Sequence, residues 1–360
     1  MNEFILPMLP PVQDIETKEV LKQSAQAHRC LAELKGVAKT IPNQNILINT
    51  LPLLEAKDSS AIENIITTHD ELYKETIFGD YIQNASAKEV QNYSQALRTG
   101  FEKVREVGVL TNNQILEIQA CIESNRAGFR KLPGTELKNE LTEETVYTPP
   151  QNADAIVRYM ANLEQFINDD TVSNMDPIIK MPIIHYQFES IHPFYDGNGR
   201  TGRIINILYL VQKGLLDIPV LYLSRFIIRH KSDYYRLLQQ VRENNNWEEW
   251  ILFMLKGVEK TSIDTIVLIN NIRTLMQEYK IRIRDNYRFY SQDLMNNLFF
   301  HPYTKIEFLE KELNITRQTA AKYLDELSAG GFLVKEKMGN SNFYINKRLF
   351  DIFLQNADKE

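Results

Sequence analysis

Twelve consecutive residues, His192-Pro-Phe-Tyr-Asp-Gly-Asn-Gly-Arg-Thr-Gly-Arg203, carry the densest set of chemically useful side chains in this 360-residue sequence. Gly197, Asn198 and Gly199 tolerate unusual backbone angles, so successive N–H groups there can converge on an anion. A helix starting near Gly199 adds the positive end of its dipole to the same spot. Arg200 and Arg203 are three apart, share one face of that first turn, and suit bidentate contacts with phosphate oxygens. Asp196 offers a hard oxygen ligand for Mg²⁺. His192 can accept a proton near neutral pH. A base, a metal ligand, an anion nest and two arginines this close together describe phosphoryl or nucleotidyl transfer.

Two common glycine motifs fit the same residues by accident. Gly197-x-Gly199-x-x-Gly202 satisfies the dinucleotide fingerprint, which needs a strand in front of it. Ile179, Ile183, Ile184 and Phe188 stand at helical spacing there instead. Gly197-x4-Gly202-Arg203-Ile204 imitates a Walker A loop, but with Arg for the lysine and Ile for the hydroxyl that binds magnesium. Both readings fail.

The elements that must position this loop are mostly helical. Apolar residues recur three and four apart over 17–40 and 86–125, with few glycines or prolines. Pro7, Pro10 and Pro11 mark an extended N-terminal arm. Gly128 to Pro150, with Pro133-Gly134, the β-prone Thr145-Val146-Tyr147 and Pro149-Pro150, reads as a hairpin set between helices. Helices resume near Ala153, run from Asp176 to Ser190, and start again near Gly199. Trp247 and Trp250, with Ile251 and Met254, form an amphipathic stripe that packs the end of the core. A long helical stretch over Ile263–Asn296 predicts a linker. The final 60 residues predict helix (Thr304–Leu313), turn, helix (Thr316–Ser328), then strands Phe332–Lys337 and Asn342–Ile345 around Gly339-Asn340. That order resembles a winged helix-turn-helix.

Composition narrows the class. With 43% hydrophobic and 24% charged residues the chain is globular, and a net charge of −6 argues against coating nucleic acid or anionic membrane. Cys30 and Cys121 alone cannot build a disulfide framework or a CxxC zinc site, and they fit a reducing cytosol. No signal peptide or membrane span is legible, so a cytoplasmic protein is expected.

The loop matches H-x-F-x-D/E-G-N-G-R-x-x-R at every defined position, and by it the chain resembles the Fic-domain family over roughly residues 50–250. The resemblance implies a mainly all-α Fic core with a β-hairpin flap. It also implies AMPylation: transfer of AMP from ATP, with Mg²⁺, to a Ser, Thr or Tyr hydroxyl of a protein. In that reading His192 is the general base, Phe194 a core anchor and Asp196 the Mg²⁺ ligand. Gly197, Asn198 and Gly199 hold the α- and β-phosphates. Arg200 meets the β-phosphate and Arg203 the γ-phosphate, with Thr201 and Gly202 completing the ATP-binding stretch. The flap holds the target backbone by strand addition, and Tyr235, rather than Tyr234, is placed for the adenine. A UMP or phosphocholine transferase, or an enzyme removing AMP, would keep the same loop. The resemblance also admits a homodimer, for which the residues give no signal of their own.

Upstream, Ser59-Ser-Ala-Ile-Glu63-Asn64 resembles the family's S/T-x-x-x-E-G/N inhibitory motif, of the class with an N-terminal inhibitory helix (class II). Glu63 would then pair with Arg203 and fill the γ-phosphate position. The alternative is a capping box, in which Ser60 caps a helix that carries Glu63 at its third position. The two are compatible. His185 and Glu189, four apart, could mimic two metal ligands, but a buried, hydrogen-bonded histidine is the favoured reading, because no third ligand is evident.

The expected organisation is an N-terminal region carrying the inhibitory helix (1–105), a Fic core (106–262, flap 128–150), a helical linker (263–296) and a winged helix-turn-helix (297–360). In the last, Arg317, Gln318, Lys322, Lys335 and Lys337 could face DNA, but Glu310, Glu312, Asp325 and Glu326 offset them. Docking to protein, or pairing with a second copy, is favoured over DNA.

Overall fold

The computed structural model describes residues 5–69, 71–72, 84–138, 142–338 and 341–358. Fourteen helices and five short strands are described, as the helical periodicity predicts. Helix starts follow side-chain caps. Thr17 caps α1 (Lys18–Ala38), Asn84 caps α3 (Ala85–Val107), and Thr111 with Gln114 forms a full capping box on α4 (Asn112–Glu123). Between the last two, Gly108 adopts φ 74°, which breaks the expected 86–125 stretch into two helices. Asn152 caps α5 (Ala153–Asn168), whose inward stripe is Ile156, Met160, Leu163, Phe166 and Ile167.

The centre is α6 (Pro177–Ile191) against α7 (Asn198–Gln212). Asp176 caps α6 and every residue from Ile178 to Ile191 is buried. A helix buried on every side, its Lys180, His185, Gln187 and Glu189 included, occupies the middle of a helical domain. Around the pair lie α2 (Asn45–Ile62), α3, α4, α8 (Leu223–Arg229) and α9 (Lys231–Asn244). The N-terminal arm is fastened by Leu6, Leu9 and Ile15 in the core, and Leu9 exchanges main-chain hydrogen bonds with the Asn162 amide. The hairpin consists of β1 (Leu137–Lys138) and β2 (Thr145–Tyr147), antiparallel, with Leu137 opposite Tyr147.

The expected linker takes another form. Trp247–Asn286 is one helix of 40 residues, α10, about 60 Å long at 1.5 Å per residue. The 262/263 boundary falls inside it, because no glycine, proline or cap interrupts the apolar repeat there. Trp247, Trp250, Ile251 and Met254 are buried along its first turns. It packs on α1, α6 and α8, and also on α14 (Lys347–Asp358) near the C-terminus.

After α10 come α11 (Gln292–Phe300), β3 (Tyr303–Lys305), α12 (Ile306–Leu313), α13 (Arg317–Ala329), β4 (Val334–Met338) and β5 (Ser341–Ile345). The strands form an antiparallel sheet in the order β3-β5-β4, with Tyr303 opposite Ile345 and Glu336 opposite Phe343. Thr316 caps α13 as expected; β3 and α14 were not foreseen, and the turn at Gly339-Asn340 lies outside the described residues. Tyr279 of α10 donates to the Phe332 carbonyl (2.9 Å), which ties this module to the long helix. Helix α11 also packs against α2.

Candidate active site

The twelve-residue loop spans the end of α6 and the start of α7. Pro193 disfavours helical angles in the residue before it. His192 accordingly leaves the helix in the left-handed region (φ 48°, ψ 59°), its N–H closing on the Phe188 carbonyl at 2.9 Å. For a residue with a Cβ that conformation costs about 1–2 kcal/mol. Phe194 is buried against the rings of Phe129 (5.4 Å) and Phe188 (6.2 Å), in the anchoring position expected of it.

Gly197 takes φ 76° as the N-cap of α7 and accepts from Thr201 N–H at 2.9 Å. Its own N–H donates to Asp196 Oδ1 at 2.7 Å, while most of the Asp196 side chain faces solvent. Helix geometry leaves the N–H groups of Asn198, Gly199 and Arg200 without an intrahelical acceptor, as an anion nest requires. Side chains are excluded here. A Cβ on Gly197 would come within 2.5 Å of Glu123 Oε1, and one on Gly199 would strike Glu63 Oε1 and Arg203.

Three residues assigned to the nucleotide face elsewhere. Asn198 accepts from Phe194 N–H and donates to the Phe194 carbonyl, both at 2.9 Å, so its side chain closes the loop on itself. Thr201 is fully buried, and Gly202 packs on His185, Phe188 and Glu189, where a Cβ would approach Glu189 Oε1 to 2.6 Å. The phase of α7 turns all three inward. Only the backbone of Asn198 is left to the nest.

The two arginines are buried and heavily bonded. Arg203 donates from Nε to Ser59 Oγ (2.7 Å), and from Nη2 to the Ser59 carbonyl (2.9 Å) and Glu63 Oε1 (2.7 Å). Arg200 donates from Nε to Glu63 Oε2 (2.9 Å), from Nη1 to Glu89 Oε2 (3.2 Å) and from Nη2 to Glu123 Oε1 (2.7 Å). Glu63 therefore bridges both guanidiniums, where the motif alone suggested Arg203. Burial works against the Arg203 charge, but the Glu63 carboxylate overcomes it and holds the group more firmly protonated than usual. Glu89 and Glu123 carry no motif of their own, and only the fold brings them here.

Glu63 reaches this position through the way α2 ends. Asn64 takes φ 62°, with its N–H on the Ala61 carbonyl (3.0 Å) and Ile65 N–H on the Ser60 carbonyl (3.1 Å). This is a Schellman ending, which explains why the motif closes on Gly or Asn. The capping-box alternative is overturned: Ser60 lies in the last turn of α2 and Glu63 is its C-cap. An acid there opposes the helix dipole by about 0.3–1 kcal/mol, so its local helix gains nothing from it. The arginines account for its presence.

His192 stands beside this cluster. Burial first, then the charges of Arg130 and Arg242, bring its pKa down to about 4, against a smaller opposing pull from the Glu189 carbonyl. The imidazole is therefore neutral at pH 7, with a free lone pair, but it holds a proton less readily than the near-neutral ring expected from the sequence. The hairpin reaches the same place: Tyr147 donates to the Ser190 carbonyl (2.8 Å), and Arg242 lies over the Tyr147 ring at 4.0 Å. Tyr195 Oη accepts from the N–H groups of Lys131 (2.9 Å) and Leu132 (3.2 Å).

His185 is not a metal ligand. Nδ1 accepts from Asn206 Nδ2 (3.1 Å), Nε2 meets Tyr234 Oη (2.8 Å), and the ring stacks on Trp250. Tyr234 is buried in that network, whereas Tyr235 is half exposed and edge-on to it at 5.1 Å. Lys231, at the start of the same helix, donates to Asn64 Oδ1 (3.3 Å), which sets α9 beside the turn carrying Glu63.

Comparisons with known proteins agree with this geometry. The model described as "Fic/DOC family N-terminal" matches residues 21–102, a span that includes Glu63, and "Fic/DOC family" matches 109–210, which includes the loop. A third, "Protein adenylyltransferase SoFic-like, C-terminal domain", matches 275–349. A probable protein adenylyltransferase of Aquifex aeolicus is 30% identical over 190 residues, 51% of this chain and 53% of that protein. The protein adenylyltransferase Fic of Drosophila erecta is 27% identical over 152 residues, 42% of this chain and 28% of that protein. The chain thus spans about half, or less, of the length of these relatives. Among solved structures, a Fic family protein from Desulfovibrio desulfuricans superposes with a TM-score of 0.58 at 19% identity, covering 94% of this chain and 98% of that one. Fic-1 from C. elegans gives 0.54 at 18% identity, covering 70% and 73%. No helix of the described residues is long and apolar enough to cross a membrane. With matches on both sides of the loop and across it, this chain belongs to the Fic/DOC family.

Proposed function

We propose that this protein transfers AMP from ATP to a Ser, Thr or Tyr hydroxyl of a protein, itself included, and that Glu63 restrains it. The hydroxyl oxygen bonds to the α-phosphorus as the bond to the α–β bridging oxygen breaks. The hydroxyl proton passes to His192, and pyrophosphate leaves with the electron pair. The observation that carries this reading is the pair of buried guanidiniums, Arg200 and Arg203, on the first two turns of α7 beside the Gly197–Gly199 nest. Groups fixed before the reaction stabilise developing phosphate charge without reorganising, commonly the largest catalytic contribution.

The exposed carboxylate of Asp196, next to the nest, fits a Mg²⁺ that arrives with phosphates, since this ion takes one or two carboxylates plus phosphate and water. Such an ion, held by Asp196, would supply charge neutralisation of the phosphates. Tyr235 is assigned to the adenine, and the hairpin to the backbone of the target. Restraint follows from the Glu63 bridge, which occupies both arginines with a carboxylate where phosphate oxygens would sit. Residues 297–360 are read as a winged helix that docks protein or a second copy. Its exposed Arg317, Lys322 and Lys335 lie against Glu307, Glu326 and Asp325, pairs that weigh against DNA as the partner. A cytoplasmic location fits the two free cysteines.

The test is label transfer from α-³²P-ATP with Mg²⁺, comparing wild type, Glu63→Gly and Glu63→Gly/His192→Ala, with γ-labelled ATP as control. Protein labelled only by the α-label, strongest in Glu63→Gly and lost without His192, is the expected result. No labelling in any of the three would sink the reading.

A further inference from the structure

Arg130 has no place in the motif, yet it bonds the loop through both its main chain and its side chain. It is 1% exposed. Its main-chain N–H donates to the Pro193 carbonyl at 2.8 Å. Its guanidinium Nε donates to the His192 carbonyl at 2.8 Å, and Nη2 donates to the carbonyls of Ile191 (3.4 Å) and Pro150. No carboxylate pairs with it among the described residues. A buried cation without a counter-ion is expensive unless oxygen dipoles compensate it; main-chain carbonyls do so at Nε and Nη2, while Nη1 is buried with no acceptor among the described residues.

Each of these oxygens has a separate meaning. Ile191 and His192 end α6, where helix geometry leaves carbonyls unsatisfied, and a cation is the favoured partner for them. The His192 carbonyl belongs to the one loop residue that carries both a left-handed conformation and the proton-accepting ring. Pro150 is where the hairpin leaves for α5. The other arm is fixed independently, through Tyr195 Oη and the N–H groups of Lys131 and Leu132. The loop and the hairpin therefore share one buried anchor.

We propose that Arg130 is a positioning residue, which fixes the His192 imidazole and the arm of the hairpin against each other through the carbonyls of Ile191, His192 and Pro150. This rests on the AMP-transfer reading for its catalytic consequence, but not for its structural one. Proton transfer depends on the base lying within hydrogen-bond reach of the hydroxyl it serves. The hairpin presents the hydroxyl, the loop presents the base, and Arg130 sets the distance between them. The planar fork matters, because an ammonium has all its donors on one nitrogen and cannot reach at once the oxygens that Nε and Nη2 serve separately.

The charge has a second effect. The groups acting on the His192 ring are Arg130 and Arg242, both positive, and the Glu189 carbonyl. Arg242 lies over the rings of Tyr147 and Tyr186, whose hydroxyls burial keeps neutral at ordinary pH. Removing the Arg130 charge therefore makes the imidazole easier to protonate.

The experiment uses the full chain in the Glu63→Gly background, with Arg130→Gln and Arg130→Lys. Self-labelling kcat is expected to fall on the order of 10²-fold in both, with the KM for ATP within about twofold, because misplacing a base costs rate and not nucleotide affinity. NMR titration of the His192 ring, assigned with His192→Ala, is expected to shift upward in Arg130→Gln and much less in Arg130→Lys. If Arg130→Gln lacks the parent's thermal transition, Arg130→Lys carries the kinetic test alone. An unchanged kcat in a folded variant, or a His192 titration insensitive to Arg130→Gln, overturns the proposal. If the Glu63→Gly parent itself shows no labelling, the AMP-transfer reading fails, and the His192 titration still decides whether Arg130 acts on the loop.

Discussion

The α6–α7 junction and the C-terminal module handle charge in opposite ways. At the junction, Arg200, Arg203 and Arg130 are buried, and their donors are directed at named oxygens on four other segments. In the C-terminal module, Arg317, Lys322 and Lys335 stay exposed, and each has an acid within 4 Å. Buried charge must be compensated or it is not tolerated, whereas exposed pairs are worth about 0–1 kcal/mol. The junction has concentrated electrostatic work that the surface module spreads into solvent. Function is to be sought where the desolvation cost has been accepted.

The largest expected effect that would break this contrast is on the base. In the Glu63→Gly background, His192→Ala should lower self-labelling with α-³²P-ATP by about 10²–10⁴-fold, the usual contribution of a positioned base. A residual rate within tenfold of the parent would mean that the junction's buried groups do not act through this imidazole. Next comes Glu63→Gly itself, expected to raise labelling about 10²-fold, since misalignment of reacting groups costs that much. Equal labelling by wild type and variant would reduce the Glu63 bridge to a structural ion pair.

A third prediction sharpens the contrast through pH. Glu189 lies against Gly202, and burial pushes its pKa up to about 7 from 4.5, against the opposing charge of Arg203. The native state then holds this proton more tightly than the unfolded chain. The associated stability is complete below about 4.5 and is lost as pH rises through about 7. In urea unfolding, Glu189→Gln should therefore gain on wild type as pH rises through that window. A constant difference across it would place the native carboxyl in the ordinary range. The smallest effect belongs to the surface: Lys322→Ala should change stability by less than about 0.5 kcal/mol and leave labelling untouched. A marked loss of labelling would give the C-terminal module a part in the reaction.

Much of the junction was legible because its chemistry is local. Residue types over 192–203 specify a nest and two arginines on one helical face, and Pro193 specifies where α6 must stop. The directions of Asn198, Thr201 and Gly202 were not legible. Residue type favours phosphate for the first two, while the phase of α7 against α6 turns all three side-chain positions into the protein. Glu89, Glu123 and Arg130 were invisible for a different reason: each acts on residues far along the chain, and nothing near it in sequence records the partner. The capping-box ambiguity at Ser60–Glu63 arose because a box and a C-terminal turn use the same letters. Only a helix running upstream from Asn45, through the discouraging Pro52, separates them. The 262/263 boundary failed because a change in composition is not a helix stop. The three-residue β3 is too short to show any alternation.

The Glu63 bridge has a consequence best put as population arithmetic. One carboxylate engages both arginines, so an anion that needs the same guanidiniums binds only the fraction of molecules in which Glu63 has withdrawn. Its apparent dissociation constant is the intrinsic one divided by that fraction. By linkage, the anion favours withdrawal of Glu63 by the same factor that withdrawal favours the anion. Helix α11 packs on the helix that ends in Glu63, so whatever changes that packing enters the same equilibrium. If Glu63 restrains the site as proposed, a single turn sets an adjustable affinity, with Asn64 at φ 62° as the residue on which that turn depends.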